Sequence, residues 1–244
     1  MHLSIVTGSS RGLGLAVTAQ LLERGHRVLA IARGDTVLDV PRGAALEVWR
    51  ADLADPLPVA ARLQQWLAAQ PTPLSATLIN NAGVTTGPGP LAESPLPELS
   101  NALRVGLEST LLLSAAFLQA SRAWPVPRRL LMVSSGLGRR AIAGAATYCA
   151  AKAGMDHLAR ALALEEATRP NGARVVSLAP GIIDTDMQVQ LRSGDAAAFP
   201  ERDRFIGFKA AGQLDSPAVA AAKLLRYLDR ADFGSNPIGD VRDA

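Results

Sequence analysis

The sequence predicts an α/β fold in which a mostly parallel sheet is doubly wound, with helices on both of its faces. Three observations support this: apolar runs of strand length alternate with helical stretches, a glycine-rich turn follows the first apolar run, and no internal repeat interrupts the order. The chain has 244 residues, of which 48% are hydrophobic, enough to fill the core of one such domain. We therefore expect a single domain spanning residues 1–244.

The first crossover of the predicted sheet is short and complete. A strand at Leu3–Val6 leads into the glycine turn and then into a helix over Gly12–Arg24. Gly25 ends this helix, and a second strand follows at Arg27–Ala32. A glycine turn between a strand and a helix is typical of the Rossmann-type fold, in which the amino end of the helix can receive a phosphate group.

The later elements continue the alternation. After a third strand, Asp55 can cap a helix whose first turn accepts Pro56. The polar segment 186–213 is predicted to form a flap of short helices over the site. The other predicted strands are Leu46–Arg50, Leu74–Ile79, Leu130–Ser134, Arg174–Ala179 and Pro237–Val241, and the other predicted helices are Leu99–Ala123, Ala150–Leu164 and Ser216–Leu228.

Charge and composition argue against several classes of protein. The net charge is +3, but the arginines are scattered and are not interleaved with aromatic residues, so we expect no nucleic-acid partner. The closest pairs, Arg128-Arg129 and Arg139-Arg140, are interpreted as a solvated strand start and a solvated loop, the second within reach of an anionic substrate edge. With one cysteine and three scattered histidines, we expect neither an internal disulfide nor a metal site.

No membrane segment or leader is predicted. The longest apolar stretch, residues 111–118, is shorter than the roughly 18 to 20 residues needed to span a bilayer. Because the first residues already form a predicted strand, we expect no signal or transit segment and a cytoplasmic location.

Three polar side chains predict the chemistry. Tyr148 lies thirteen residues after Ser135 and four residues before Lys152. Residues four apart share one face of a helix, so the ammonium of Lys152 can stabilise a phenolate at Tyr148. A cation about 5 Å away at an effective dielectric of about 20 contributes roughly 3 kcal/mol, or about two pKa units. We therefore expect Lys152 to lower the pKa of Tyr148, and Ser135 to polarise the same substrate oxygen, which indicates carbonyl chemistry with a nicotinamide.

Taken together, the motifs resemble those of the short-chain dehydrogenase/reductase family over essentially the whole chain. The segment from Pro180 to Gln188 is similar to that of the sepiapterin reductase and benzil reductase branch. The matching motifs, in the family's order and spacing, are Thr7-Gly8-x-x-x-Gly12-x-Gly14, Asp52, Asn80-Asn81-Ala82-Gly83, Ser135, Tyr148-x-x-x-Lys152 and Pro180-Gly181-x-x-x-Thr185.

The resemblance implies a catalytic set of Ser135, Tyr148 and Lys152, and a dinucleotide site. The glycines of the turn would let the backbone approach the pyrophosphate. Asp52 would bond the adenine amino group, with a purely local capping role as its alternative. The implied cofactor-binding residues are Gly8, Ser10, Arg11, Gly12, Leu13, Gly14, Arg33, Asp52, Leu53, Asn81, Ala82, Gly83, Tyr148, Lys152, Pro180, Gly181, Ile183 and Thr185.

The end of the second strand predicts which nicotinamide cofactor is used. Enzymes that select NAD place an acidic side chain there, against the ribose 2′-hydroxyl, whereas this chain has Ala32 and Arg33. An arginine, helped by Arg11, favours the 2′-phosphate of NADP(H) through charge-assisted hydrogen bonds. We therefore expect NADP(H), while Asp35, three residues past Ala32, keeps NAD open.

Gly106 departs from the family pattern, which has an asparagine at the aligned position. Glycine in a helix interior costs about 1 kcal/mol relative to alanine, so we expect it to admit water or part of a substrate into this space. On this interpretation, Gly106→Asn would raise turnover.

The substrate pocket is predicted only in outline. Asp240 falls where the pterin-reducing branch has an aspartate that binds the pterin ring, and a solvated tail carboxylate is its alternative. The other candidate pocket residues are Leu137, Cys149, Gln188, Phe199 and Phe205.

The sequence therefore predicts an NADPH-dependent carbonyl reductase that acts on a ketone or vicinal diketone, with Tyr148 as the proton donor. Two alternatives are an NADP-binding sensor with little turnover and an NAD-linked alcohol dehydrogenase. The helices at about 99–123 and 148–168 are apolar around much of their girth, so we expect a homodimer or homotetramer that forms through them.

Overall fold

A computed structural model describes residues 1–243 of the chain. Within this range seven strands form one parallel sheet in the order β3-β2-β1-β4-β5-β6-β7. The strands are β1 Leu3–Thr7, β2 Arg27–Ala32, β3 Ala45–Arg50, β4 Ala76–Asn80, β5 Arg128–Val133, β6 Arg174–Ala179 and β7 Ile238–Asp240. The predicted doubly wound parallel sheet of a single domain is confirmed.

Helices alternate with these strands and cover both faces of the sheet. Within residues 1–243, none of the helices combines the length and apolar character that crossing a membrane requires. The α-helices are α1 Gly12–Glu23, α2 Pro56–Ala68, α3 Leu96–Leu103, α4 Ser109–Ala120, α5 Ala146–Ala167, α6 Asp186–Arg192, α7 Arg202–Ala210 and α8 Pro217–Leu228.

The central strands are buried on both sides because the helices form two layers. In β1, Ile5 packs in a core closed by α2, α4 and α5, whereas the next residue, Val6, packs in a core closed by α1 and α8. Successive side chains of a strand point to opposite faces, which explains why the central strands are continuous apolar runs.

The topology creates a crevice at the carboxyl end of the sheet. From β1 the chain winds outward through β2 to β3, then returns to place β4 on the other side of β1. The segments that follow β1 and β4 therefore diverge, and in open parallel sheets this switch point is where ligands bind. Ser135 follows β5 on the same edge, and Pro180 follows β6.

The long helix predicted at Leu99–Ala123 begins earlier, at Leu96, and is interrupted by a π-helical turn at Arg104–Glu108. Two hydroxyl groups donate to carbonyl oxygens of this turn: Ser109 Oγ to Val105 at 2.7 Å and Thr110 Oγ1 to Gly106 at 3.2 Å. Single π turns within α-helices occur frequently at functional sites.

Gly106 lies buried in this π turn and faces α5. A Cβ atom added at Gly106 would lie 3.2 Å from the Cβ of Ala151, the residue before Lys152. A side chain at this position would therefore be crowded by α5 at its first atom, which argues against the expectation that Gly106 opens space for water or substrate. The glycine instead allows the π turn to pack closely against the helix that carries Tyr148 and Lys152.

Arg128 also differs from its prediction as a solvated residue. Its side chain is almost fully buried at the start of β5, where it pairs with Glu166 of α5 at 3.5 Å and donates to the backbone carbonyl of Asn171. A buried cation needs such partners because burial removes its hydration. This pair therefore ties β5 to α5 at the edge of the sheet opposite the crevice.

We expect Gly106→Asn to lower both thermal stability and turnover, contrary to the expectation from sequence alone. Overpacking of this kind typically costs about 1–3 kcal/mol, because neighbouring groups must move. Thermal unfolding and steady-state kinetics measure the effect, with Glu108→Asn at the exposed end of the same turn as the control. An unchanged melting temperature together with higher turnover would show that the space is open.

Candidate active site

The carboxyl ends of the central strands open into one cleft with a volume of about 870 Å³. Helix α1 begins on one wall, and the segment 186–213, which carries α6 and α7, lies along another. The residues predicted as catalytic or cofactor-binding all line this cleft: Gly8, Ser10, Arg11, Gly12, Leu13, Gly14, Arg33, Asp52, Leu53, Asn81, Ala82, Gly83, Ser135, Tyr148, Lys152, Pro180, Gly181, Ile183 and Thr185.

The glycine turn packs so closely on itself and against the segment after β4 that larger residues do not fit. A Cβ atom on Gly14 would lie 2.1 Å from the carbonyl oxygen of Gly8 and 2.5 Å from Nδ2 of Asn81. Gly8 has a φ of 68°, a conformation that favours glycine. Asn81 joins the two segments by donating from Nδ2 to the carbonyl of Thr7 at 2.9 Å.

This geometry suits the pyrophosphate of a dinucleotide. The first residues of α1 line the cleft, so their backbone amides and the positive end of the helix dipole can face an anion placed there. Arg11, just before α1, pairs with Asp186 of α6 at 2.7 Å. Both side chains are largely exposed, and surface pairs of this kind are weak, so Arg11 can exchange this partner for a phosphate group.

The residues after β2 present a free cation to the cleft. Arg33 is exposed, lines the cleft and has no ion-pair partner within residues 1–243. Asp35 lies outside the cleft lining and is held by two contacts from Arg50, whose guanidinium lowers the pKa of this carboxyl. Asp35 is therefore already paired with Arg50. Asp52, by contrast, lines the cleft, and its side chain also accepts a hydrogen bond from the backbone N–H of Ala54 at 3.0 Å.

Ser135 stands at the start of a 3₁₀ turn formed by residues 136–138. Its hydroxyl accepts a hydrogen bond from the backbone N–H of Leu137 at 3.2 Å, which caps the turn and orients the side chain. The backbone carbonyl of Ser135 accepts from Gly138 at 2.9 Å. The end of β5 thus places this hydroxyl on the cleft wall, facing α5.

Tyr148 and Lys152 lie one turn apart on α5, as predicted. Lys152 Nζ is 5.5 Å from the centre of the Tyr148 ring and donates to the carbonyl oxygen of Val133 at 2.7 Å. Only 5% of the Lys152 surface is exposed, so the ammonium is buried next to the end of β5. Gly83, in the loop after β4, also lies close to Lys152. A Cβ atom added at Gly83 would be 3.7 Å from Nζ.

The pKa of Tyr148 moves in the direction opposite to the one expected. Its removal from water raises the pKa above the ordinary value, and hydrogen bonding with Ser135 opposes this only in part. The expected net lowering of the Tyr148 pKa is therefore wrong for this state of the site, because burial outweighs the groups that favour the phenolate. Burial also weakens the cation, because it lowers the pKa of Lys152 to about 8, against an opposing effect of Asp156.

The pKa shifts of Lys152 and Tyr148 determine the charge states of these two groups at neutral pH. A pKa of about 8 leaves Lys152 mostly charged at pH 7, and that charge is lost as the pH rises through 8. Tyr148, with a raised pKa, remains a neutral phenol that can give up a proton. The site therefore combines a neutral acid with a buried cation that can stabilise the phenolate left behind.

The substrate half of the cleft contains some of the predicted residues but not all. Leu137, Gln188 and Phe205 line it, whereas Cys149 and Phe199 lie outside the lining. Cys149 follows Tyr148 directly, and one residue turns a helix by about 100°, so it faces elsewhere. Phe199 is fully buried behind Phe205, with ring centres 5.6 Å apart, and supports this wall from behind.

Gln188 has an unusual position among the lining residues. It is 9% exposed, and its side-chain oxygen is buried without a hydrogen-bond partner among the described residues. An unpaired buried amide is costly, so a polar group of a ligand in the cleft would stabilise it. Since an amide can rotate to present either oxygen or nitrogen, it can serve a hydroxyl or a carbonyl group.

Asp240 is not a solvated tail carboxylate. It lines the cleft at the end of β7 with 6% of its surface exposed, and Arg242 binds it through Nε at 2.8 Å and Nη2 at 2.5 Å. Arg139 approaches the same carboxylate at 4.0 Å. The guanidinium of Arg242 lowers the pKa of Asp240, which is therefore ionised and already has a forked partner.

Sequence reasoning missed several lining residues and one buried acid. Apolar residues on the α6–α7 wall carry no motif, although their spacing along short helices could have indicated a pocket. Asp156, one helical turn beyond Lys152, is buried beside the site, and this spacing of four was the available signal. The missed lining residues include Val84, Met187, Leu191, Arg204 and Phe208.

Comparisons with known proteins agree with this geometry. Residues 3–196 match the model of the family described as short chain dehydrogenase. A benzil reductase ((S)-benzoin forming) of Bacillus cereus is 30% identical over 99% of this chain and 98% of its own. A sepiapterin reductase of Meriones unguiculatus is 35% identical over 98% of this chain and 95% of its own.

A solved structure from Beutenbergia cavernae, with bound NADP at low occupancy, matches the fold with a TM-score of 0.81. It is 30% identical to this chain and the match covers 98% of this chain and 94% of that one. Since the family model covers most of the sequence and the relatives align over nearly all of it, this chain belongs to the short-chain dehydrogenase/reductase family of oxidoreductases.

Proposed function

We propose that this protein is an NADPH-dependent carbonyl reductase with Ser135, Tyr148 and Lys152 as its catalytic residues. The observation that carries the proposal is the convergence of these three side chains on the same cleft as the glycine turn. The nicotinamide, when bound, supplies the hydride that reduces the carbonyl carbon. The residues that would hold the dinucleotide are those of the glycine turn, Arg33, Asn81 and the segment after β6.

The three side chains have distinct roles in this proposal. Tyr148 holds the proton that the substrate oxygen receives, and its raised pKa keeps that proton in place until charge develops on the oxygen. Ser135 donates to the same oxygen and orients it. The buried ammonium of Lys152 stabilises the phenolate formed at Tyr148 and donates to the ribose of the cofactor.

NADP(H) is the proposed cofactor because Arg33, after β2, has no ion-pair partner among the described residues, whereas the nearby Asp35 is already paired. Arg33 faces the cleft without a partner among the described residues, while Arg50 neutralises Asp35. Arg11 adds a second exchangeable cation. The Beutenbergia structure with bound NADP supports the same choice.

The proposed substrate is a bulky ketone or vicinal diketone. Support comes from the name of the Bacillus relative and from a pocket that pairs the aromatic residues Phe205 and Phe208 with the unpaired amide of Gln188. A pterin is less favoured, although sepiapterin reductases are also relatives. The carboxylate of Asp240 already binds Arg242, so it is not free to bind the guanidine-like edge of a pterin ring.

We also propose that the protein forms a homo-oligomer through α4 and α5. Leu111 on α4 and Leu164 on α5 are 46% and 74% exposed, so each helix leaves apolar surface in water. A second copy would remove these side chains from water.

The function is tested by following the absorbance of NADPH with purified protein and a panel of benzil, sepiapterin, isatin and simple aldehydes. We expect turnover of benzil, weak or no turnover of sepiapterin, and loss of nearly all turnover in Tyr148→Phe while the dissociation constant of NADPH stays largely unchanged. Binding of NADPH without oxidation by any carbonyl would favour the sensor alternative.

Cofactor selection is tested with Arg33→Ala. We expect KM for NADPH to rise about 10- to 100-fold, since charged hydrogen bonds contribute roughly 1.5–3 kcal/mol, with little change for NADH. Arg42→Ala, an exposed arginine outside the cleft lining, is the matched control. A wild-type enzyme that uses NADH ten times more efficiently than NADPH would overturn the choice and favour the NAD-linked alcohol dehydrogenase.

A further inference from the structure

Asp156 is a buried acid with an unusual number of partners beside the site. Its Oδ1 accepts hydrogen bonds from Ser134 Oγ at 2.7 Å and from Ser177 Oγ at 2.6 Å. Its Oδ2 accepts from Arg139 Nε at 3.1 Å. Only 2% of the residue is exposed, so these bonds replace the water that an ionised carboxylate requires.

These partners surround the turn that carries Ser135. Ser134 immediately precedes Ser135, which caps the 3₁₀ turn, and Arg139 immediately follows that turn. One carboxylate therefore holds both ends of this turn. An ideal Cβ on Gly138 would lie 3.1 Å from Asp156 Oδ2 and 2.9 Å from the carbonyl oxygen of Lys152, so the turn packs directly on α5.

The same carboxylate acts on Lys152 through space. It lies one helical turn beyond Lys152 on α5, and its negative charge favours the ammonium form against the cost of burial. The other groups near Lys152 are uncharged: Tyr148 on α5, Ser135 and the Val133 carbonyl at the end of β5, and the backbone of Gly83 after β4.

The charged groups on the far side of Asp156 form a chain. Arg139 contacts Asp156 and donates to the carbonyl of Gly239 at 2.8 Å, and it also approaches Asp240 at 4.0 Å. Arg242 in turn pairs with Asp240. Arg139 is therefore shared between two acids, so Asp156 is not fully neutralised and part of its charge remains to act on Lys152.

We propose that Asp156 is a positioning residue that keeps the Lys152 ammonium charged and fixes the turn that carries Ser135. This inference rests on the proposed function, because it assigns Asp156 a role in that same site. Asp156 does not contact the cleft itself and acts only through Lys152 and Ser135.

The test is the pH dependence of kcat/KM for carbonyl reduction in Asp156→Asn, a nearly isosteric change that removes the charge. Reduction requires charged Lys152 and neutral Tyr148, so activity falls as the pH rises through the lower of their two pKa values, that of Lys152 at about 8. We expect the alkaline limb to move to lower pH by about one unit in the variant.

Binding of NADPH gives a readout independent of turnover. If the pKa of Lys152 falls by about one unit, its charged fraction at pH 8 falls about fivefold but barely changes at pH 6. We therefore expect the dissociation constant of NADPH, measured by fluorescence, to rise about fivefold at pH 8 and less than twofold at pH 6. An equal rise at both values would contradict the proposed electrostatic role.

Ser177→Ala is the matched control, because it removes one hydrogen bond from Asp156 and leaves the charge. It should lower stability without moving the alkaline limb. If Asp156→Asn fails to fold because Arg139 loses its nearer carboxylate partner, the double variant Asp156→Asn/Arg139→Gln is compared with Arg139→Gln alone. The alkaline limb of the double variant should lie at lower pH.

The two possible failures are distinguishable. A wild-type protein that oxidises no NADPH with any carbonyl contradicts the proposed function. A wild-type protein that is active, together with folded Asp156 variants whose alkaline limb does not move, overturns the role of Asp156 and leaves the reductase intact.

Discussion

The site depends on a positive charge that is buried in the protein rather than exposed to water. Lys152 is almost fully buried, and its ammonium donates to a backbone carbonyl at the end of β5. Burial of an ammonium is unfavourable, as its pKa of about 8 indicates, so the surrounding groups must offset that cost. The carbonyl of Val133 does so only when α5 is docked against β5. The carboxylate of Asp156 does so from α5 itself, where Ser134 and Ser177 hold it in place.

The fold delivers these groups because of the way that parallel strands end. The carboxyl ends of β1, β4, β5 and β6 lie side by side, so the glycine turn, the Asn81 segment, Ser135 and Pro180 meet although they are far apart in sequence. Helix α5 then crosses this edge and adds Tyr148 and Lys152. The π turn at Arg104–Glu108 completes the arrangement by allowing close contact with α5 at Gly106.

Most of the fold and much of the site could be predicted from local patterns. Strands and helices follow from apolar periodicity, and the residues of the glycine turn and of the Ser135, Tyr148 and Lys152 set belong to motifs with fixed spacing. The three glycines of the turn and the Ser135, Tyr148 and Lys152 set all line the cleft, while their roles remain predictions. Boundaries were less accurate, and the interruption of the α3–α4 helix was not predicted, because a π turn depends on its contact with another helix.

The remaining errors share a physical cause. The pKa of Tyr148, the burial of Arg128 and the position of Cys149 all depend on which groups tertiary packing brings near, and spacing along the chain does not contain that information. The same holds for Asp240, which has the position of a ligand-binding acid but is occupied by Arg242, only two residues away. A motif identifies a residue, whereas its neighbours decide its charge and availability.

The most direct test is a crystal structure of the protein with NADP⁺ and a non-reacting ketone analogue. We expect Tyr148 Oη and Ser135 Oγ both to lie within hydrogen-bonding distance of the same ketone oxygen, with Lys152 Nζ beneath the tyrosine ring and close to the ribose. A phenol that points away from the nicotinamide, or a lysine too distant to influence it, would contradict the reductase chemistry proposed for this site.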